Sequence, residues 1–136
     1  MYPPELTKPM AEELTNAGFT QLSTVEAVTE ELKKDGTALV VVNSVCGCAA
    51  GSARPAARIA ITNAKTPDRL LTVFAGVDAE ATAQARKFML PYPASSPSMA
   101  VFKDGRLVHF LERHHIEGNS AETIAENLAA AFDAFC

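Results

Sequence analysis

Thr37-Ala38-Leu39-Val40-Val41-Val42-Asn43-Ser44-Val45-Cys46-Gly47-Cys48 runs a β-branched, almost wholly apolar segment straight into two thiols one residue apart. The segment 37–43 is expected to be a strand covered on both faces, since only a sheet sandwiched between layers tolerates apolar residues at consecutive positions. The sequence that follows reads as a helix, with Pro55 acceptable only in its first turn, so this helix is expected to begin near Ser52 or Ala53. The thiols therefore fall at a strand-to-helix junction. Free N–H groups and the positive end of the helix dipole favour an anion there.

A thiolate is such an anion, and it is the form that attacks disulfides. Cys46, nearer the strand, is the candidate nucleophile, and Cys48 the candidate resolving thiol. Arg54 is a candidate for further stabilisation of the thiolate if it lies in the first turn. An extended chain separates residues i and i+2 by about 6.6–7.2 Å, whereas a disulfide needs its Cα atoms within about 6.8 Å, so the backbone must bend at Gly47. Glycine permits such a bend because it lacks a Cβ. A Cys46–Cys48 bridge is expected to be easily reduced, which suits exchange chemistry. Two other readings stand beside this one. The pair could pack inertly in a core, or it could hold a metal, although the second cysteine pair or the Cys and His spacing of common zinc sites is missing.

The whole chain narrows the field. At 136 residues it has the length of one ordinary domain, 1–136, and needs no disulfide to bury its core. The hydrophobic share of 48% and charged share of 21% are those of a globular protein. A net charge of −4, with no basic run longer than Lys33-Lys34, gives no support to nucleic-acid binding or to an anionic membrane surface. The opening Met1-Tyr2-Pro3-Pro4-Glu5 lacks the features of a secretory leader, and no apolar stretch approaches the ~20 residues of a spanning helix, so a cytosolic location is expected. In that reducing compartment a close cysteine pair points to catalysis, sensing or metal. Cys136, the last residue, is expected to sit at a frayed end.

Outward from the cysteines, 4–17 reads as a helix with Leu6, Met10 and Leu14 at helical spacing, closed by Gly18. Ser23 with Glu26 has the pattern of a capping box opening a second helix, stopped by Gly36. Residues 70–75 make a strand, and Asp78 is placed to cap a helix through about Phe88. The stretch 91–97 is a stiff loop. Segments 98–102 and 106–111 flank Lys103-Asp104-Gly105, a hairpin signal. Asn119 with Glu122 opens a terminal helix carrying Ile124, Leu128 and Phe132. The order implies one α/β domain with parallel first strands and an antiparallel hairpin at one edge. Ligands of such sheets meet the carboxyl ends of the strands, where the cysteines fall. His114-His115, taken as part of a strand, would point to opposite faces and chelate one ion poorly.

These features resemble the thioredoxin fold, a central mixed four-stranded sheet flanked by helices, here with two helices at the N-terminus. More closely they resemble the bacilliredoxins. The resemblance is carried by Tyr2-Pro3-Pro4, the block from Val42 to Ala49, Ala53-Arg54-Pro55, Pro91-Tyr92-Pro93, Ser96-Pro97-Ser98, the block Arg113-His114-His115-Ile116-Glu117-Gly118, and Cys136. It implies a small oxidoreductase that removes bacillithiol, or a similar low-molecular-weight thiol, from protein mixed disulfides, with weak disulfide isomerase or reductase activity beside it. It also implies that Cys46 attacks the bacillithiol sulfur and that Cys48 or a second small thiol clears the adduct. Pro97, with Ser96 before it, matches the cis proline that positions substrate. The expected partners are bacillithiolated or disulfide-containing clients and the small thiol as co-substrate, with a thiol–disulfide reductase as a further candidate. No tightly bound cofactor or metal is expected. The alternatives are a metal-binding or metal-delivery module and a redox sensor without turnover.

Overall fold

Seven consecutive buried residues, Thr37–Asn43, form the central strand β2. Its side chains alternate between two cores, as the two-residue period of a strand requires. Leu39 and Val41 enter one cluster with Leu14, Met99, Leu128 and Phe132. Ala38, Val40 and Val42 enter the other with Val28, Leu32, Val73 and Phe102. The near-continuous apolar run is thus explained by helices on both faces of the sheet.

The computed structural model describes residues 2–136. The helices are α1 (Pro4–Thr15), α2 (Val25–Leu32), α3 (Arg54–Ala60), α4 (Ala79–Lys87), α5 (Arg113–Ile116) and α6 (Ala121–Phe135), and the strands besides β2 are β1 (Thr20–Gln21), β3 (Arg69–Phe74), β4 (Ser98–Lys103) and β5 (Arg106–Leu111). The sheet has five strands in the order β1-β3-β2-β4-β5, one more than the four expected. The additional strand is the two-residue β1, which pairs parallel with Leu71 and Thr72. It is too short to show any periodicity. β2 runs parallel to β3 and antiparallel to β4. The β4–β5 hairpin turns on Asp104 and Gly105, both at positive φ (52° and 79°), the backbone that a two-residue hairpin demands and glycine accepts.

Several local expectations shift. Thr24, not Ser23, caps α2, its hydroxyl accepting from the Ala27 N–H. Ser120, not Asn119, caps α6 through the Thr123 N–H. Leu6, at 44% exposure, leaves the apolar stripe of α1. The helix after the cysteines begins at Gly47 rather than near Ser52. Ala49–Ala53 is wound as a π-helix, with the Arg54 N–H donating to the Ala49 carbonyl five residues back. This wider turn lets a helix start immediately after the strand and still carry Pro55 at the head of α3. Among the described residues no helix is long and apolar enough to cross a membrane.

Register decides where the functional residues meet. Val42 pairs with Ser98, so the end of β2 lies beside the start of β4. Met99 pairs with Leu111, so the end of β5 arrives at the same edge. Segments 44–48, 95–97 and 112–117 therefore gather at one end of the sheet.

Candidate active site

The turn out of β2 is built from side chains. The Asn43 carboxamide oxygen accepts from the Ser44 N–H at 2.8 Å, the Ser44 hydroxyl accepts from the Cys46 N–H at 3.2 Å, and the Asn43 amide group donates to the Met10 carbonyl at 3.2 Å. Short polar side chains bonding to nearby backbone are what turns the chain without a β-ladder. The Cys46 carbonyl then accepts from the Ala49 and Ala50 N–H groups at 3.1 and 3.3 Å, so Cys46 stands at the head of the helix. Both thiols are free and partly buried.

Their acidities are pushed apart. Burial raises the Cys46 thiol, but hydrogen bonds from the Ala49 backbone, the Ser44 hydroxyl, and the Cys48 side chain and backbone outweigh it and hold Cys46 below the ordinary thiol range. Cys48 is pushed the other way, by burial first, then by its hydrogen bond to Cys46 and by the charges of Cys46 and Glu117, with Arg113 opposing. The site thus makes one sulfur easier to ionise than an ordinary thiol and the other harder. This is the asymmetry a nucleophile and a resolving thiol require.

Gly47 is exposed. Its φ lies outside the left-handed region, and a Cβ there would meet nothing within 4 Å. In this dithiol state the backbone between the sulfurs is helical rather than specially bent, so the expected need for glycine is not expressed here.

Arg54 is almost fully buried, and its guanidinium does not carry charge to the thiols as expected. It donates to the Asn43 carboxamide oxygen at 3.0 Å and the Ser44 carbonyl at 2.8 Å, and pairs with Glu13 at 3.1 Å. Neither shifted thiol counts Arg54 among the causes of its shift. Arg54 ties the turn 43–44 to α3 and α1, fixing where Cys46 points. Glu13 also pairs with Arg58 at 2.9 Å.

The cation beside the thiols is Arg113, a residue given no role from sequence. Its Nη2 lies 3.7 Å from the Cys48 sulfur, its Nη1 donates to the Ser96 carbonyl at 3.3 Å, and its backbone N–H donates to the Ser95 hydroxyl at 3.3 Å. The charges of Cys46 and Cys48 raise its own pKa. Arg113 thus links the thiol loop to the Ser96–Pro97 loop. The Ser96–Pro97 bond is cis, as the resemblance implied, and Leu90–Pro91 is cis as well. The signal for Arg113 lay in the hairpin register, which puts the residues after Leu111 beside the start of β4.

His114 and His115 lie on the short helix α5, not on a strand. Their rings lie 4.0 Å apart between centroids, tilted by 47°, and with Glu112 they offer ligand atoms within 4.8 Å of one another. His115 Nδ1 accepts the Glu112 N–H at 3.0 Å, which assigns the proton of the neutral ring to Nε2, the free nitrogen. A metal at either nitrogen must displace a bond already made. This cluster, the converging ligand group among the described residues, includes neither thiol. Cys136 is exposed, but its amide continues the helix by donating to the Phe132 carbonyl at 2.8 Å.

A family model described as disulphide isomerase matches residues 2–136. The chain is 60% identical over 133 residues to a bacilliredoxin of Cytophaga hutchinsonii, covering 98% of both chains. It is 53% identical over 137 residues to a bacilliredoxin of Geobacillus kaustophilus, covering 99% of this chain and 94% of that relative. Among solved structures, the oxidised form of mitochondrial thioredoxin 3 from Saccharomyces cerevisiae matches with a TM-score of 0.62 at 15% identity, over 90% of this chain and 99% of that one. The structural likeness shows the thioredoxin fold. The sequence likeness, running the length of the chain and joined to a pair of oppositely tuned thiols, shows that this protein belongs to the bacilliredoxin family of thiol–disulfide oxidoreductases.

Proposed function

We propose that the protein removes bacillithiol, or a similar small thiol, from protein mixed disulfides, with Cys46 as nucleophile. The observation that carries this reading is the opposed tuning of the two sulfurs, with Cys46 ionised more readily and partly exposed at the helix head. The Cys46 thiolate attacks the small-thiol sulfur of the mixed disulfide. The client sulfur leaves with the bonding electron pair and takes a proton from solvent, and the small thiol remains on Cys46 as a new disulfide.

Two routes then clear the adduct. Cys48, on losing its proton, attacks the Cys46 sulfur and expels the small thiol, leaving a Cys46–Cys48 disulfide that a separate reductase returns to two thiols. Alternatively a second small-thiol anion attacks the carried sulfur, releasing a small-molecule disulfide and the Cys46 thiolate. Ser96 and Pro97, held beside the thiols through Arg113, position the client chain. The cytosol suits this cycle because its reducing poise keeps both sulfurs available.

The test is a trap. The Cys48→Ala protein is incubated with a bacillithiolated client, and the intact mass is measured. The proposal expects Cys46 to gain the mass of one bacillithiol, and Cys46→Ser to gain nothing. A Cys48→Ala protein that takes up no small thiol overturns it.

A further inference from the structure

We propose that Arg113 and Glu117 form a charge-reading subsite that docks the carboxylate of the small thiol as it is transferred to Cys46, making carboxylate-bearing thiols the preferred class. The inference rests on the transfer reading above. Arg113 bridges the thiol loop and the Ser96–Pro97 loop, reaching the Cys48 sulfur and the Ser96 carbonyl, and Cys48 is hydrogen-bonded to Cys46, so a small thiol bonded to Cys46 sits beside its guanidinium. The other arginine near the thiol loop, Arg54, is buried and engaged with Asn43, Ser44 and Glu13.

Arg113 is not closed off. Its side chain is 44% exposed, and its ionic partner Glu117, one turn further along, is 58% exposed and 3.6 Å away. An exposed pair at that separation is weak. A carboxylate arriving on the substrate can replace it and engage the planar guanidinium through two N–H groups. Glu117 also repels the same anion, so the two residues act in opposite directions. Arg113 attracts the charged thiol, and Glu117 sets how much of that attraction is already satisfied. A thiol without charge gains nothing from this arrangement, and a cationic one is disfavoured by Arg113.

The experiment compares three probes on one cysteine-containing reporter peptide, blocked as a mixed disulfide with mercaptosuccinate (anionic), 2-mercaptoethanol (neutral) or cysteamine (cationic). The rate of small-thiol transfer to Cys46 is followed by mass in the native protein and in Arg113→Gln, Arg113→Lys and Glu117→Gln. The native protein is expected to prefer mercaptosuccinate over 2-mercaptoethanol and cysteamine. Arg113→Gln lowers the anionic-to-neutral rate ratio about tenfold, the loss of one charge-assisted contact. Arg113→Lys keeps part of the ratio, and Glu117→Gln raises it about twofold. High salt compresses the ratio in the native protein.

The ratio is the decisive readout because a general change in Cys46 acidity or in folding alters all three rates together. An unchanged ratio in Arg113→Gln, or a fall of equal size in Glu117→Gln, overturns the subsite. Transfer of all three thiols at equal rates by the native protein removes the subsite and leaves the transfer reading standing. Transfer of none removes both.

Discussion

Arg54, at the head of α3, donates through Nη1 to the Asn43 carboxamide oxygen at 3.0 Å, binding the last residue of β2 to the helix that follows the thiols. The same nitrogen reaches the Ser44 carbonyl. The cysteine loop is thus held from below by a buried cation, and Arg113 faces the sulfurs from above. One arginine sets geometry and the other supplies charge at the surface.

Arg54→Ala removes the tether, leaving the buried Ser44 carbonyl without its guanidinium donor and the Asn43 oxygen with the Ser44 N–H alone. The expected cost is about 1–3 kcal/mol of stability, measured by urea unfolding of the reduced protein. A loss below about 1 kcal/mol contradicts the role.

The Glu13 carboxyl, raised by burial but lowered further by its bonds to Arg58 and Arg54, sits below its ordinary range. A carboxyl depressed on folding contributes stability above its unfolded pKa of about 4.3 and loses it as pH falls through the lower folded value. Glu13→Gln should therefore be less stable than the native chain at neutral pH, with the gap closing as pH falls below about 4. A gap that persists unchanged in acid contradicts the pairing.

Gly47→Ala is expected to leave the reduced protein as stable as before, or up to about 1 kcal/mol more stable, because the backbone there is helical and a Cβ has room. Closure of the Cys46–Cys48 disulfide should slow, since the bridge draws the hydrogen-bonded sulfurs closer together and a Cβ at residue 47 narrows the backbone freedom for that move. Calorimetry of the reduced form and the rate of oxidation measured by thiol loss check the two halves separately. A marked loss of reduced-state stability runs against the first, and an unchanged oxidation rate against the second.

Glu112, His114 and His115 converge, yet His115 Nδ1 already accepts the Glu112 N–H. The purified protein, incubated with zinc at pH 7 and desalted, should retain no stoichiometric metal. Retention of one equivalent, lost in His115→Ala, contradicts the assigned hydrogen bond as the governing interaction.

The parts legible in the sequence were those where one force acts alone. β2 was readable to its ends because burial on both faces demands apolar side chains at every position, and Asp104-Gly105 fixed the hairpin because few residues accept positive φ at both turn positions. β1 was not readable, since two residues carry no pattern and its pairing depends on β3. The caps slipped by one residue at Thr24 and Ser120 because each stands next to another competent capping residue, and tertiary placement chose between them. Pro55 marks the head of α3, but the π-turn at 49–53 lets the helix open earlier, at Gly47. At the site, the cysteines declared themselves through spacing at an element boundary. Arg113 did not, because its position is created by strand register across the hairpin. The charge of Arg54 is visible in the sequence, but its burial against Asn43 and Ser44 gives that charge a different task.

The central claim is that Cys46 is the more readily ionised of the two sulfurs, held below the ordinary thiol range while Cys48 is pushed above it. The alkylation rate of each with iodoacetamide, measured site by site by peptide mass from pH 5 to 10, tests this directly. The account predicts a midpoint for Cys46 below the free-thiol value of about 8.5, with Cys48 titrating above it. A Cys46 midpoint at or above that value, or Cys48 reacting first, contradicts it.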